Sequence, residues 1–394
     1  MHPNLNPFAP GAGTQPPELS GRGAILESAS LAFTRVRSGR PARGQMLLGL
    51  RGVGKTVLLN RLAELAEVEG YLTVALEVPD GRRLAEMLVP ALRSTLLKIS
   101  RSEGARAAAR RALGILRAFA GAFKVTVGDI EFGVNSEPGT ADSGHLGTDL
   151  PELFVAVGLA AKEAGRPVAL FVDELQYLVE EDLAALIVAV HAISQKGLPV
   201  ILFGAGLPQL AGLAGQAKSY AERLFQFQNV GALNDAAARS AIRTPVEREG
   251  VEITEAALSV IVEKTKGYPY FLQEWASQAW NIARQSPIQA EDAEEATQQA
   301  LQELDEGFFR VRFDRLTPRE RDYMRAMAEL GAGPHRSGDV AQAAGMGVTN
   351  AAPLRSGLIR KGMIYSPLHG DTAFTVPLFD EFMKRVMPKR AAGA

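Results

Sequence analysis

The feature that most constrains this chain is a glycine-rich run directly after a short apolar segment, Met46 to Leu48. The run reads Gly49-Leu50-Arg51-Gly52-Val53-Gly54-Lys55-Thr56 and matches the pattern G-x-x-x-x-G-K-[ST]. Glycines at these positions let the backbone wrap closely, so that successive N–H groups point at phosphate oxygens. A helix that begins near Lys55 directs the positive end of its dipole at the same place. The run therefore predicts a phosphate-binding loop between a strand and a helix.

The residues of this loop have separate expected roles. Lys55 is expected to contact the β- and γ-phosphates of a nucleotide, and the Thr56 hydroxyl is expected to ligate Mg²⁺. The predicted nucleotide contacts are Gly49, Gly52, Val53, Gly54, Lys55, Thr56 and Val57. ATP and Mg²⁺ are thus the ligands that this segment predicts.

A second apolar segment, Val168 to Val172, ends in the adjacent carboxylates Asp173 and Glu174. A parallel sheet places its ligands at the carboxyl ends of its strands. Asp173 is predicted to hold Mg²⁺ through water, and Glu174 to orient and deprotonate the water that attacks the γ-phosphate. Alone, such a strand end is equally compatible with a solvated turn. Together with the phosphate loop it predicts hydrolysis of ATP.

Short apolar runs of strand length alternate with helical stretches between residues 46 and 230. The runs are Met46 to Leu50, Leu72 to Val78, Val168 to Val172, Pro199 to Phe203 and Phe225 to Val230. This alternation predicts an α/β fold whose mostly parallel sheet is covered on both faces. We assign residues 25–233 to this P-loop core and residues 1–24, rich in proline and glycine, to an N-terminal arm.

The stretch of about 100–147 interrupts this alternation and resembles an insertion. It begins with an arginine-rich helix, followed by an alternating stretch whose Val127 to Ile130 is typical of a hairpin turn. The role of the insertion is left open by the sequence.

Beyond the core, strand signals stop and helices dominate residues 234–304, which predicts a helical lid. The last part, residues 305–394, contains a capping box at Thr317 to Glu320 that predicts the start of a helix. Two further helices, near 338–344 and 349–361, precede two alternating segments around His369. Three helices and a hairpin predict a winged helix.

Composition excludes several other classes of protein. The chain has 43 Lys and Arg against 44 Asp and Glu, which excludes a globally basic coat for nucleic acid. It has no cysteine and only five histidines, so a disulfide scaffold, a zinc ribbon and a cysteine nucleophile are excluded. No apolar stretch approaches about 18 residues. We therefore expect a cytoplasmic protein without a membrane partner.

Three further features are less specific. Arg223, just before the run Phe225 to Val230, is predicted to stabilise the transferred phosphoryl group in a neighbouring subunit, although an ordinary surface arginine is the alternative. No polar sensor follows Phe203, and Gln176 or Gln209 could substitute, although both fit structural roles. Pro269 is predicted to press on the nucleotide, or simply to begin a helix.

Taken together, these residues resemble the AAA+ ATPases of the origin-recognition and archaeal replication-initiator type. The resemblance covers most of the chain and implies that the arm and Gly21-Arg22 pack on the adenine base. Gly267-Tyr268-Pro269 is similar to the glycine-x-proline motif of the STAND signalling ATPases, and no sensor 2 arginine is evident. The resemblance implies an ATP-binding and ATP-hydrolysing protein. A homo-oligomer is compatible with it, and the oligomeric state is left open by the sequence.

The partner is the most open question. Residues 317–394 hold eleven Lys and Arg against seven Asp and Glu, so the basic charge is C-terminal. Eight of these eleven cations lie on or near the predicted second and third helices or near the end of the chain, namely Arg336, Arg355, Arg360, Lys361, Lys384, Arg385, Lys389 and Arg390. These predict contacts of the winged helix with duplex DNA. The alternative is a STAND-like, nucleotide-gated switch with a protein partner. A small-molecule kinase is a weaker third possibility, because no acceptor pocket is evident.

Overall fold

The structure is a computed structural model that describes residues 1–11, 13–125 and 133–388. The predicted hairpin turn at Val127 to Ile130 lies outside the described residues. The chain divides into two compact units, which we describe separately. The sheet unit contains Arg22–Gly49 and Lys55–Val230, and the helical unit contains Met1–Gly21, Leu50–Gly54 and Gly231–Ala394.

The sheet unit is built on a five-stranded parallel sheet with the order β2-β3-β4-β1-β5. Its strands are β1 (Gly44–Leu48), β2 (Leu72–Glu77), β3 (Val168–Asp173), β4 (Val200–Gly206) and β5 (Phe225–Asn229). The central strands β1, β3 and β4 are buried along their whole length, as expected for a parallel sheet covered on both faces. The predicted α/β fold is thereby confirmed.

Helices cover this sheet and supply most of its hydrophobic core. They are α1 (Gly23–Arg37), α2 (Lys55–Val68), α3 (Leu84–Ile99), α4 (Arg106–Ala122), α5 (Leu146–Glu163), α6 (Glu180–Gln195), α7 (Leu210–Ala217) and α8 (Ala221–Leu224). The arginine-rich helix of the predicted insertion is α4. Its apolar face, with Leu113, Leu116 and Phe119, is buried in the core, while Arg106 and Arg110 remain exposed.

The helical unit begins with four helices that correspond to the predicted lid. They are α9 (Asp235–Arg248), α10 (Glu255–Thr265), α11 (Pro269–Ile282) and α12 (Ala290–Glu303). Thr254 caps α10 by accepting a hydrogen bond from the Ala257 N–H at 3.2 Å. Lys266, in the left-handed conformation, ends the same helix and Pro269 begins the next. A π-helical turn (Leu304–Phe309) and the short α13 (Arg310–Asp314) lead out of α12.

The remainder of this unit, which we name the C-terminal module, spans residues 317–388. It consists of α14 (Pro318–Glu329), β6 (His335–Arg336), α15 (Ser337–Ala343), α16 (Val348–Arg360), β7 (Ile364–Tyr365), β8 (Asp371–Phe374) and α17 (Phe379–Val386). The strands form an antiparallel sheet with the order β6-β8-β7. The capping box of Thr317 and Glu320 is present at the start of α14, so this part of the prediction is confirmed.

Each of the five strands differs from the predicted run by one to three residues at one or both ends, and the carboxyl ends of β1 and β4 show why. The strand β1 ends at Leu48 rather than Leu50, because Gly49 and Leu50 already belong to the loop. The strand β4 continues to Gly206 rather than ending at Phe203, because its glycines pair in the sheet with Met46 and Leu48. None of the helices in the described part of the chain combines the length and apolar character needed to cross a membrane.

Candidate functional site

The glycines of the phosphate loop adopt backbone conformations that other residues rarely occupy. Gly52 has a φ of +84° and Gly54 a φ of +89°. At Gly52 space is also limiting, because a Cβ would lie 3.0 Å from Cε1 of Tyr268 and 3.2 Å from Cβ of Tyr270. A side chain at position 52 is therefore disfavoured both by its conformation and by its neighbours.

In the sheet unit, the first turn of α2 meets the carboxyl end of β3. The Thr56 hydroxyl donates a hydrogen bond to Oδ2 of Asp173 at 2.5 Å. Lys55 is buried at the start of the same helix, with 6% of its surface exposed. The pairing of Thr56 with Asp173, 117 residues further along the chain, brings together the two residues predicted to hold Mg²⁺.

These residues fit the ligands that the sequence predicts. A hydroxyl and a carboxylate are oxygen donors of the kind that Mg²⁺ prefers, and one or two protein ligands suffice because the ion retains water and phosphate oxygens. The beginning of α2 directs backbone N–H groups and the positive end of the helix dipole to bound phosphate. Bound between nucleotide and protein, Mg²⁺ would neutralise charge on the phosphates.

Glu174 follows β3 in a left-handed backbone conformation, with φ 55° and ψ 36°. Its N–H donates to Oδ1 of Asp173 at 2.8 Å. Its carboxylate Oε2 accepts a hydrogen bond from the side-chain amide of Gln176. The carbonyl oxygen of the same amide accepts from the Leu207 N–H at 3.0 Å. Gln176 thus joins the carboxylate of Glu174 to the segment after β4.

The helical unit holds the loop residues Arg51 and Gly52 through three hydrogen bonds. The Tyr268 hydroxyl donates to the Arg51 carbonyl. The Tyr270 N–H donates to the Gly52 carbonyl at 3.1 Å, and the Arg51 N–H donates to the carbonyl of Thr375, in the C-terminal module, at 3.3 Å. Pro269 lies between the two tyrosines as the first residue of α11. Lid and C-terminal module therefore both contact the loop.

A half-buried cation that the sequence did not indicate lies close to this contact. Arg312, on α13, has its guanidinium carbon 3.8 Å from the ring centre of Phe308. Burial, together with the nearby charge of Arg51, lowers the pKa of Arg312 to about 10. No motif marks Arg312, because its proximity to Arg51 depends on the folding of residues far apart in the chain.

Arg223 lies at the opposite edge of the sheet from Asp173. It is exposed on α8, directly before β5, whose first residue Phe225 pairs with Gly44 at the amino end of β1. Arg223 lines a surface cavity with two other arginines, Arg35 and Arg43. Because Arg223 lies at the amino edge of the sheet, it is too far from the carboxyl edge of its own sheet to contact a nucleotide bound there. A catalytic role for Arg223 therefore requires a neighbouring subunit.

The N-terminal arm is hydrogen-bonded to α11. The Asn6 side-chain amide donates to the Ser277 carbonyl at 3.1 Å and to Oδ1 of Asn281 at 3.0 Å. The Trp280 ring N–H donates to the His2 carbonyl at 3.2 Å. The arm is thus held on the lid, while Arg22, the other residue expected at the base, is buried in the sheet unit.

Several cations expected to contact DNA are engaged within the C-terminal module. Arg355 donates to Oγ1 of Thr372 at 2.7 Å and to the Asp371 carbonyl at 2.7 Å. Lys361 pairs with Glu320 at 2.6 Å. The interpretation of these two cations as DNA contacts is therefore revised, because both are used to hold α16 to the rest of the module. Lys389 and Arg390 lie outside the described residues, and Arg360 is exposed.

The parallel sheet, the loop before α2 and the carboxylates after β3 define a P-loop ATPase. Residues 18–203 match the family model of the AAA ATPase domain, which agrees with a P-loop ATPase in this part of the chain. Residues 306–383 match a second model, a domain of unknown function called DUF8462. None of the curated proteins compared matches this sequence.

Several solved structures are similar to this chain at low sequence identity, and the first of them has the same fold. The Walker-type ATPase PABY2304 of Pyrococcus abyssi is 16% identical, with a TM-score of 0.60 over 96% of this chain and 99% of that one. The ORC1 protein of Aeropyrum pernix, solved in complex with DNA, is 16% identical, with a TM-score of 0.47 over 93% of each chain. The Holliday junction branch migration motor RuvB of Thermotoga maritima is 14% identical, with a TM-score of 0.45 over 94% of this chain and 95% of that one.

Proposed function

We propose that the nucleotide state of the ATPase site controls the C-terminal module, and that this module is a winged helix that binds duplex DNA. The observation that carries the proposal is the double attachment of the phosphate loop. Arg51 bonds through its carbonyl to Tyr268 of the lid and through its N–H to Thr375 of the module. A nucleotide that orders or shifts this loop must alter both attachments.

The proposed chemistry is hydrolysis of the terminal phosphate of ATP. Lys55 and the loop N–H groups bind the phosphates, with Thr56 and Asp173 as the ligands of Mg²⁺. Glu174 takes a proton from water as the water oxygen attacks the γ-phosphorus, and the bond from that phosphorus to the β-γ bridging oxygen breaks to release ADP. The hydrogen bond between Thr56 and Asp173 supports these assignments.

We further propose that Arg223 completes the site of a neighbouring copy in a homo-oligomer. Its exposure at the amino edge of the sheet supports this role, because a second copy can approach it there. The cation would stabilise the charge that develops on the transferred phosphoryl group.

Duplex DNA is the partner that the charge of the C-terminal module favours. Arg319, Arg336 and Arg360 are exposed on the module. The test is ATP turnover with and without duplex at low and moderate salt, with the Glu174→Gln variant as the blank. We expect duplex to stimulate turnover and the stimulation to fade with salt, because phosphate contacts release counterions. In the Arg319→Ala/Arg360→Ala variant the stimulation should be lost, while turnover without DNA is unchanged.

A protein partner is the second candidate, and the internal bonding of Arg355 and Lys361 favours it. Such a switch retains ADP tightly and turns over ATP at a rate that duplex does not alter. Turnover that is equal with and without duplex at both salt concentrations would therefore overturn the DNA proposal in favour of this one.

A further inference from the structure

The carboxyl end of β4 and the two residues that follow it carry no polar side chain that could face a nucleotide. This stretch reads Gly204-Ala205-Gly206-Leu207-Pro208. The polar groups present there are backbone groups, and the Leu207 N–H is bound to the side chain of Gln176 at 3.0 Å. Gln176 therefore occupies the space next to this strand end from the side of β3.

Gln176 reaches this place because position 206 is a glycine. A Cβ at Gly206 would lie 2.7 Å from the Gln176 side-chain oxygen and 2.8 Å from Cδ2 of Leu210. The backbone of Gln176 belongs to a 3₁₀ turn, Leu175–Tyr177, that follows Glu174 directly. Turn and glycine together aim the amide between the end of β4 and the carboxylate of Glu174.

The two ends of the amide have different partners. Its oxygen accepts from the Leu207 N–H, which fixes the orientation of the amide, and its nitrogen therefore faces Oε2 of Glu174 and donates to it. One carboxylate oxygen is held in this way, and Oε1 is left to accept a proton from water. A carboxylate fixed at one oxygen loses rotational freedom before the reaction and acts on water from a defined direction.

We propose that Gln176 is the positioning residue of the hydrolytic reaction and fixes the Glu174 carboxylate for attack by water. The inference rests on the proposed role of Glu174 as the base. Because Gln176 acts through Glu174 rather than on the nucleotide, its loss lowers kcat and leaves nucleotide affinity unchanged. Because its oxygen is bound to Leu207, movement of the segment after β4 also moves the Glu174 carboxylate.

Two substitutions of Gln176 distinguish a role in positioning the Glu174 carboxylate from a purely structural role. Gln176→Ala removes both hydrogen bonds. Gln176→Glu has the same shape and still accepts from the Leu207 N–H, but it has no donor for Glu174 and places a second carboxylate beside it. A structural role predicts that Gln176→Glu behaves like the wild type, whereas a positioning role predicts that it is as inactive as Gln176→Ala.

The experiment measures kcat, KM and the Kd for ATP of the full chain for both variants, for Glu174→Gln and for Gln195→Ala. Gln195 is an exposed glutamine at the end of α6 and serves as the matched control. We expect kcat to fall on the order of 10- to 100-fold in both Gln176 variants, with Kd within about twofold of wild type. Gln195→Ala should be unchanged.

The experiment tests the role of Glu174 as the base separately from the role of Gln176 as the positioning residue. Wild-type kcat in Gln176→Glu, or a loss of affinity equal to the loss of kcat, would overturn the positioning role. If Glu174→Gln itself retains turnover, the role of Glu174 fails and the inference falls with it. If Glu174→Gln is inactive while both Gln176 variants are fully active, only the inference is wrong.

Discussion

In the proposed reaction Lys55 binds the phosphates and Glu174 activates water, so their substitutions should fail in different ways. Lys55→Ala removes the cation beside the phosphates, and we expect nucleotide binding to be lost. Glu174→Gln keeps the shape of the side chain but removes the base, so ATP should remain bound while turnover falls by at least about 100-fold. Binding titrations and steady-state rates measure the two effects. Equal loss of binding in both variants would contradict the separate roles.

Arg223 is tested by mixing variants, because its role requires a second subunit. Arg223→Ala should lower turnover on the order of 1,000-fold without weakening nucleotide binding. A mixture of Arg223→Ala and Lys55→Ala subunits should recover activity, since an intact Lys55 then meets an intact Arg223 across the boundary. Arg110→Ala, an exposed substitution on α4, is the control. If the two variants assemble into mixed oligomers and ATP turnover is still not recovered, Arg223 does not act on the site of a neighbouring subunit.

At the scale of elements, α11 begins at Pro269 and carries a buried acid. Glu274 is 5% exposed, and Gln278 donates to its Oε1 at 3.3 Å. Burial raises the pKa of Glu274 to about 7, and the neighbouring Glu303 raises it too. The folded state thus binds a proton that the unfolded state releases at a lower pH, so stability is lost as the pH rises from about 4.5 to 7.

Glu274→Gln should remove this dependence, because an amide does not titrate. Between pH 5 and pH 8 we expect the free energy of unfolding of the wild-type helical unit to fall by about 2 kcal/mol, which lowers its melting temperature by roughly 4 to 8 °C. In Glu274→Gln both changes should be much smaller. Trp275 and Trp280, the only tryptophans of the chain, are both buried on α11, so their fluorescence reports this helix selectively. The control is Glu294→Gln, exposed on α12. Identical pH dependence in wild type and Glu274→Gln would contradict the assignment.

A feature can be predicted from the sequence when the residues that form it are close together in the chain. The strands β1 and β3, the start of α14 at Thr317 and the phosphate loop follow from local patterns of apolar residues, caps and glycines. Arg312 and Gln176 have no local signal, because their partners Arg51 and Leu207 are distant in the chain. Arg355 misled for the same reason, since its bonds to Thr372 and Asp371 form only when α16 packs on β8.

At the scale of the whole molecule, control by the nucleotide requires the link from the phosphate loop to the C-terminal module. The loop residues Arg51 and Gly52 are bonded to Tyr268, Tyr270 and Thr375 in the helical unit. A nucleotide can shift the conformation of the module only if it binds more tightly to one arrangement of these hydrogen bonds than to another. If the nucleotide controls the C-terminal module, the backbone amides of the module should therefore be protected from hydrogen exchange to different extents in the ADP and ATP states.

The measurement that tests this claim is hydrogen–deuterium exchange of the full chain without nucleotide, with ADP, and with ATP in the Glu174→Gln variant, which should hold ATP unhydrolysed. We expect peptides covering residues 371–376 and 268–272 to change protection between the ADP and ATP states. Lys55→Ala should show no change with either nucleotide. Protection that changes in the sheet unit on nucleotide binding but stays constant across residues 317–388 would contradict control of the C-terminal module.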